Sequence, residues 1–534
     1  MSLSKIRIEA ALSMVLVLFF AITTMADTLI SSNDIHYHSD FEKQVFTHHG
    51  DKNSVNYIAL YLAADADINT DQFRTIEKDF NELVSSYQSK KFHKLKDQKK
   101  VKKIYEDVHK AILDKYDQKK SFSSIFLKGE YQCVTASMLY SLIFDALDIP
   151  FEIKLLPTHS YLIAYPDEHY ILVETTEPID GTIVFDDRFK TDYVNYMREH
   201  KLIGKDEFDA KLVNELFDLY YMQPETIDLF QLAGAQYYNL SLLALENRKY
   251  FDAYHLMEKA YYLYPSAKNS FMLLFALSNV LNRISITDVE YAEYLGKLMR
   301  FQDRGITADQ LFGLFTNLTN RQLLFDGNVN LYDDSYNIIL PEVKDSTLLN
   351  NISFLYNYER GRVLYLNSEY DSAEQFIGQA FSLKPKSADV KAMFYGIMLA
   401  KMEELKSGDD AYTLSKFQEY FNTISVYKKR FTHLNDMRGF RQAWLYFCLG
   451  LMDQFYQFQD SENGEKYRMI FESDYPKPVA GFSGINNGIS DAYSSAANYY
   501  HNKKQMAKTL EVTAKGLEYI PDNNSLLQIK NKLN

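Results

Sequence analysis

The sequence predicts a mostly helical chain in which one small α+β unit sits between helical segments. Three observations carry this. Glycine and proline are scarce, 20 and 11 in 534 residues, too few for a turn-rich β-sandwich. Between about residues 121 and 183, helical spacing gives way to one helix and then three short strand-like runs. Beyond about residue 206, small residues and prolines recur at fixed distances, as they do in stacked helix pairs. The chain is too long for one ordinary domain, and 46% hydrophobic residues can fill several cores. The segments read as 1–26, 27–120, 121–205 and 206–534.

Residues 1–26 have the pattern of a signal peptide. Lys5 and Arg7 give a positive start, an apolar run extends from Ala10 to Ile22, and Thr24 and Ala26 offer small residues before Asp27. The apolar run is short for a membrane helix and no second one follows. The expectation is an exported chain, periplasmic or extracellular, with no stable membrane span after cleavage. The net charge of -13 repels phosphate backbones and argues against a nucleic-acid partner. Two cysteines, Cys133 and Cys448, are too few for a disulfide framework, and their separation predicts two free thiols.

Residues 27–120 read as helical, with Val101, Ile104, Tyr105, Val108 and Ile112 on one face. The lysine run from Lys90 to Lys103 reads as a solvated helix face or a docking patch. Asp65, Asp67, Asn69 and Asp71 miss the calcium-loop pattern, because Thr70 stands where glycine is needed. No metal and no cofactor is expected.

Three segments align on their prolines. Ala253, Ala260 and Pro265 match Ala373, Ala380 and Pro385, and also Thr509, Gly516 and Pro521. Small residues let two helices approach closely, and the proline ends the second helix. These stretches, 234–267, 354–387 and 490–523, resemble tetratricopeptide repeats. The resemblance implies an all-α solenoid that binds a protein or peptide. The segments 268–353 and 388–489 are helical but off this pattern.

In the α+β unit, Gly129 precedes a helix that starts near Cys133 and runs to Leu147. Strand-like runs follow at Phe151–Leu155, His159–Tyr165 and Tyr170–Thr175, broken at Pro157 and at Pro166-Asp167. A helix N-terminus favours a thiolate at Cys133. With a hairpin loop centred between Pro166 and Asp167, His159 stands directly opposite Glu174, where a carboxylate can hold an imidazole in one tautomer. The stretches Gly129-Glu-Tyr-Gln-Cys133, Pro157-Thr-His159-Ser-Tyr and Val173-Glu174-Thr175-Thr176 resemble the transglutaminase-like superfamily, in a bacterial branch with Glu-Thr-Thr. That resemblance implies a papain-like core over roughly 121–205. Cys133 would be the nucleophile, His159 the base and Glu174 its orienting carboxylate. The oxyanion would be held by the Cys133 N–H, with Gln132 as a candidate second donor. Glutamate in place of aspartate is a departure. So is the lack of a nearby tryptophan, since the one tryptophan is Trp444, and this favours hydrolysis over protein cross-linking.

Two function classes follow. One is a thiol-dependent amide or peptide hydrolase, or an acyltransferase, acting on a partner held by the repeats. The other is a non-catalytic binding scaffold that retains the fold.

Overall fold

The protein is seen as a computed structural model that describes residues 29–48, 55–156, 159–175, 190–191, 194, 203, 205–220, 224–405, 413–475 and 485–533. The expected signal peptide, Pro157, Thr158 and Thr176 lie outside the described residues. The chain is mostly helical with small sheets. It forms two compact units, Met1–Leu349 and Asn350–Asn534.

In the first unit a two-residue strand β1 (Lys115–Tyr116) pairs in parallel with β2 (Glu130–Tyr131). Gly129, at φ 68°, ends the short helix Ser123–Lys128 and turns the chain into β2. A Cβ there would meet the Asp114 Cβ at 2.9 Å, so only glycine fits this turn. Two residues past β2 begins helix α1 (Cys133–Ala146). A four-stranded antiparallel sheet follows, in the order β5-β4-β3-β6. Its strands are β3 (Phe151–Leu155), β4 (Ser160–Ala164), β5 (Ile171–Val173) and β6 (Glu225–Ile227). The first three match the strand-like runs of the sequence, and β6 joins from beyond residue 205. α1 is buried on all sides from Cys133 to Phe144, which explains its lack of an apolar stripe. The sheet lies on one side, where Phe144 meets Phe151 at 6.1 Å between rings. Helix α2 (Leu229–Glu246) and the helix Tyr57–Leu62 pack elsewhere on it.

The sheet corrects one expectation. β4 and β5 pair Leu162 with Val173, Ile163 with Leu172 and Ala164 with Ile171. Continued one step, this register sets Glu174 opposite Tyr161, not His159. The loop between the strands is longer than a tight turn and uses positive φ at Tyr165 (50°) and Tyr170 (44°). The offset is two residues. In a strand an offset of two keeps the side-chain face, whereas an offset of one would reverse it.

The helical pairs share one geometry. α2 is followed by α3 (Tyr250–Leu263), Ser346–Leu366 by Tyr370–Leu383, and Asn486–Asn502 by Met506–Tyr519. Each turn places one residue at positive φ: Arg248 at 58°, Ser368 at 64° and Lys504 at 58°. Each second helix has 14 residues. It ends at a residue with φ of -137°, -135° or -133° (Tyr264, Lys384, Ile520). In every case a proline comes next, and proline excludes the α region for its predecessor. Ala253, Ala260, Ala373, Ala380 and Thr509 are fully buried at the crossings.

A fourth pair lies in the stretch that looked off-pattern. Arg438–Gln457 and the 14-residue Ser461–Asp474 are joined through Gln459 at φ 63°. Gly464 takes the place of Ala253, but Phe471 stands where the others carry alanine or glycine. Its ring is buried instead against Tyr475, Tyr493 and Tyr519.

The described N-terminal residues are pinned to α2 and α3 by buried charge. Glu42 and Lys259, 0% and 1% exposed, pair at 2.8 Å. The Tyr237 hydroxyl donates to Glu42 at 2.8 Å, and the His38 backbone N–H donates to it at 2.7 Å. Burial lowers the proton affinity of the Lys259 amine. Arg300 adds bonds to Asp34, Glu342 and the Leu29 carbonyl. Removing one partner of a buried pair strands the other charge. Lys259→Met is therefore expected to cost roughly 3–5 kcal/mol in chemical denaturation. Adding Glu42→Gln to that variant should recover most of the loss.

Candidate functional site

The site is assembled where the start of α1 meets the ends of β4 and β5. The Gln132 side chain caps α1: its Oε1 accepts from the Val134 N–H at 2.9 Å, and the Thr135 hydroxyl accepts from the Gln132 N–H at 2.9 Å. Such a cap fixes the first turn. It puts the Cys133 amide at the helix entrance, where no intrahelical carbonyl reaches it. The helix is then tied to the sheet by buried hydroxyls. Ser137 and Ser160 oxygens lie 2.9 Å apart. The Thr175 hydroxyl donates to the Ser160 carbonyl at 2.9 Å and lies 3.4 Å from the Cys133 carbonyl. All three residues are fully buried. Ser160 follows His159 and Thr175 follows Glu174, so this cluster fixes the backbone at both partners of the thiol.

His159 closes the β3–β4 hairpin, exchanging backbone hydrogen bonds with Leu156 at 2.7 and 3.4 Å. Its Nε2 meets Glu174 Oε1 at 2.8 Å. The register makes this a diagonal contact rather than a directly opposed one. Diagonal neighbours are about 7–8 Å apart at the backbone and need long side chains. The extra methylene of glutamate supplies that reach. With Nε2 on the carboxylate, Nδ1 is the ring nitrogen left for the thiol, and Cys133 is the leading influence that raises the imidazole's proton affinity. The Tyr161 ring stacks beside the imidazole, 6.1 Å between centroids and 27° between planes. Cys133 is 8% exposed, while the His159 and Glu174 side chains are 30% and 40% exposed. Solvent therefore meets the site from the imidazole and carboxylate side.

The sequence brought Cys133, His159 and Glu174 to one place, and so does the structure. Gln132 also lies at the site, but the atom it turns toward the thiol is the acceptor Oε1, 3.5 Å from Sγ. One neighbour was missed. The Tyr116 phenol lies near enough to Cys133 for the thiol's charge, after burial, to help raise it. Tyr116 sits on a two-residue strand with no alternating pattern, so nothing in the sequence links it to a thiol 17 residues away. Cys448, the other free cysteine, is fully buried in Arg438–Gln457, and burial pushes its thiol well above the usual range.

Cys133 first, and then the Glu174 carboxylate, push the His159 imidazole from 6.5 up to about 9, against the effect of burial. A neighbour that favours the imidazolium raises the value. With a raised folded value, the group's contribution to stability is complete below pH 6.5 and is lost as pH rises through about 9. An NMR titration of the His159 Cε1 proton should give a midpoint well above 6.5, and Glu174→Gln should bring it down. A wild-type midpoint at or below 6.5 would contradict the arrangement.

No family model and no curated protein matches the chain, so the chemistry is argued from the geometry of Cys133, His159 and Glu174.

Proposed function

We propose that the chain is an exported thiol-dependent acyl-transfer enzyme, with a transglutaminase-like, papain-like core and helical repeats of tetratricopeptide type. The observation that carries this is the position of His159, whose Nε2 meets Glu174 at 2.8 Å while Cys133 is the leading influence on the same imidazole. A carboxylate that holds one ring nitrogen leaves the second free to move a proton.

In the reaction, His159 takes the Cys133 proton and Sγ attacks an amide carbonyl carbon. The carbonyl electron pair moves onto oxygen. Its return breaks the C–N bond, and His159 gives the proton to the departing nitrogen. The products are a free amine and a thioester on Cys133. Water, or an acceptor amine, then gives a proton to His159 and attacks the thioester, which releases Sγ. Glu174 holds the imidazole and balances its charge throughout. The substrate is a protein or peptide held by the helical hairpins, whose repeated geometry supports a binding array.

The low exposure of Cys133 supports a second reading, a binding scaffold that keeps the fold without the chemistry. Iodoacetamide labelling of the full chain separates the two. The enzyme reading expects Cys133 to label faster than Cys448, with His159→Ala slowing Cys133 by about tenfold or more. Equal, slow labelling of both cysteines would leave the scaffold.

A further inference from the structure

We propose that the lysine-rich face running from Lys90 to Lys110 is a docking surface for an anionic lipid membrane. This surface lies outside the thiol site, and its test does not depend on the acyl-transfer reading.

The stretch from Lys90 to Lys103 holds eight lysines and one acid, Asp97, in a chain whose net charge is -13. It folds as the short helix Lys90–His93 followed by the helix Asp97–Ala111. Two sets of apolar anchors fix which side faces outward. Phe92 is buried and packs on Tyr87, with 5.2 Å between rings. Val101, Ile104 and Val108 are buried along the longer helix. With about 3.6 residues per turn, Lys99, Lys102, Lys103 and Lys110 fall on the opposite side, and all four are exposed. Lys90, Lys91, Lys94 and Lys96 are exposed as well and extend the positive face past the helix start.

The charge of this face is not cancelled from within. Asp97 is taken by Lys100 at 2.9 Å. Lys102 and Lys103 have Glu106 at 3.6 Å and Asp107 at 2.9 Å, and pairs as exposed as these bind weakly. Among the described residues, the ammonium groups of Lys90, Lys91, Lys94, Lys96 and Lys99 form no ion pair. The negative charge elsewhere on the chain does not oppose docking, because exposed charges more than about 8 Å away are largely screened at physiological salt.

The choice of cation indicates the partner. The stretch contains lysine and no arginine. Arginine has the planar fork that suits fixed carboxylate partners, and lysine is depleted from protein interfaces. Mobile point charges on an exposed helical face suit a fluid layer of anionic headgroups, which rearranges to meet them. Each lysine brought to such a layer strengthens binding by about fivefold.

Co-sedimentation of the full chain with vesicles tests this. One set contains phosphatidylcholine alone, and the other contains phosphatidylcholine with phosphatidylglycerol at 3:1. The variant replaces four unpaired lysines together, Lys90→Gln, Lys91→Gln, Lys94→Gln and Lys99→Gln. These side chains support no packing, so an unchanged melting temperature is expected. The expected result is binding to the anionic vesicles at least tenfold tighter than to the neutral ones, lost at high salt, and weakened at least tenfold in the variant. Failure to bind the anionic vesicles, binding to both sets alike, or a smaller effect of the four substitutions would overturn the proposal. Binding to a soluble polyanion such as heparin without binding to the vesicles would also overturn it and assign the face to another partner.

Discussion

The buried hydroxyl cluster of Ser137, Ser160 and Thr175 is the constraint on which the site depends. A helix start and two strand ends are separate pieces of backbone, and nothing in a helix or a sheet fixes their distance. Here Ser137 on the helix meets Ser160 on one strand, and Thr175 beyond the next strand reaches the backbone of both Ser160 and Cys133. In a dry interior each hydroxyl is held, because an unmade hydrogen bond there costs about 1–3 kcal/mol. The side chains that face the chemistry are the immediate neighbours of these anchors. His159 and Glu174 can remain partly exposed because the backbone beneath them is fixed.

The glutamate at position 174 follows from the register. An aspartate directly opposite a histidine could reach it across adjacent strands. At the observed offset the carboxylate approaches diagonally, and the longer side chain closes the gap to 2.8 Å. The loop residues with positive φ, Tyr165 and Tyr170, set that offset. Loop length and side-chain length are thus coupled here, and shortening one without the other would move the carboxylate off the imidazole.

Much of the site was legible in the sequence because local rules govern it. The strands at Phe151–Leu155, Ser160–Ala164 and Ile171–Val173 follow from alternation and from proline breaks. The grouping of Cys133, His159 and Glu174 survived a wrong register because the error was two residues, which preserves the face. Tyr116 was not legible, since a two-residue parallel strand has no period to detect and its partner is distant in sequence. The hairpins showed a similar limit. Three were found from small residues placed before a proline. The fourth was hidden by Phe471, which keeps the turn and helix length but fills the crossing with an aromatic ring. Strand β6 was also missed, as three residues ahead of a helix carry little signal.

The charge that pins residues 29–48 to α2 and α3 is independent of the thiol site. It shows that burial of Glu42 and Lys259 is tolerated because each has a close partner. The central claim is narrower: Glu174 acts on Cys133 only through His159. A double-mutant cycle on the alkylation rate of Cys133 tests it most directly. Glu174→Gln should slow the reaction in the otherwise unmodified chain and have no further effect in the His159→Ala background. Independent slowing in both backgrounds would contradict it.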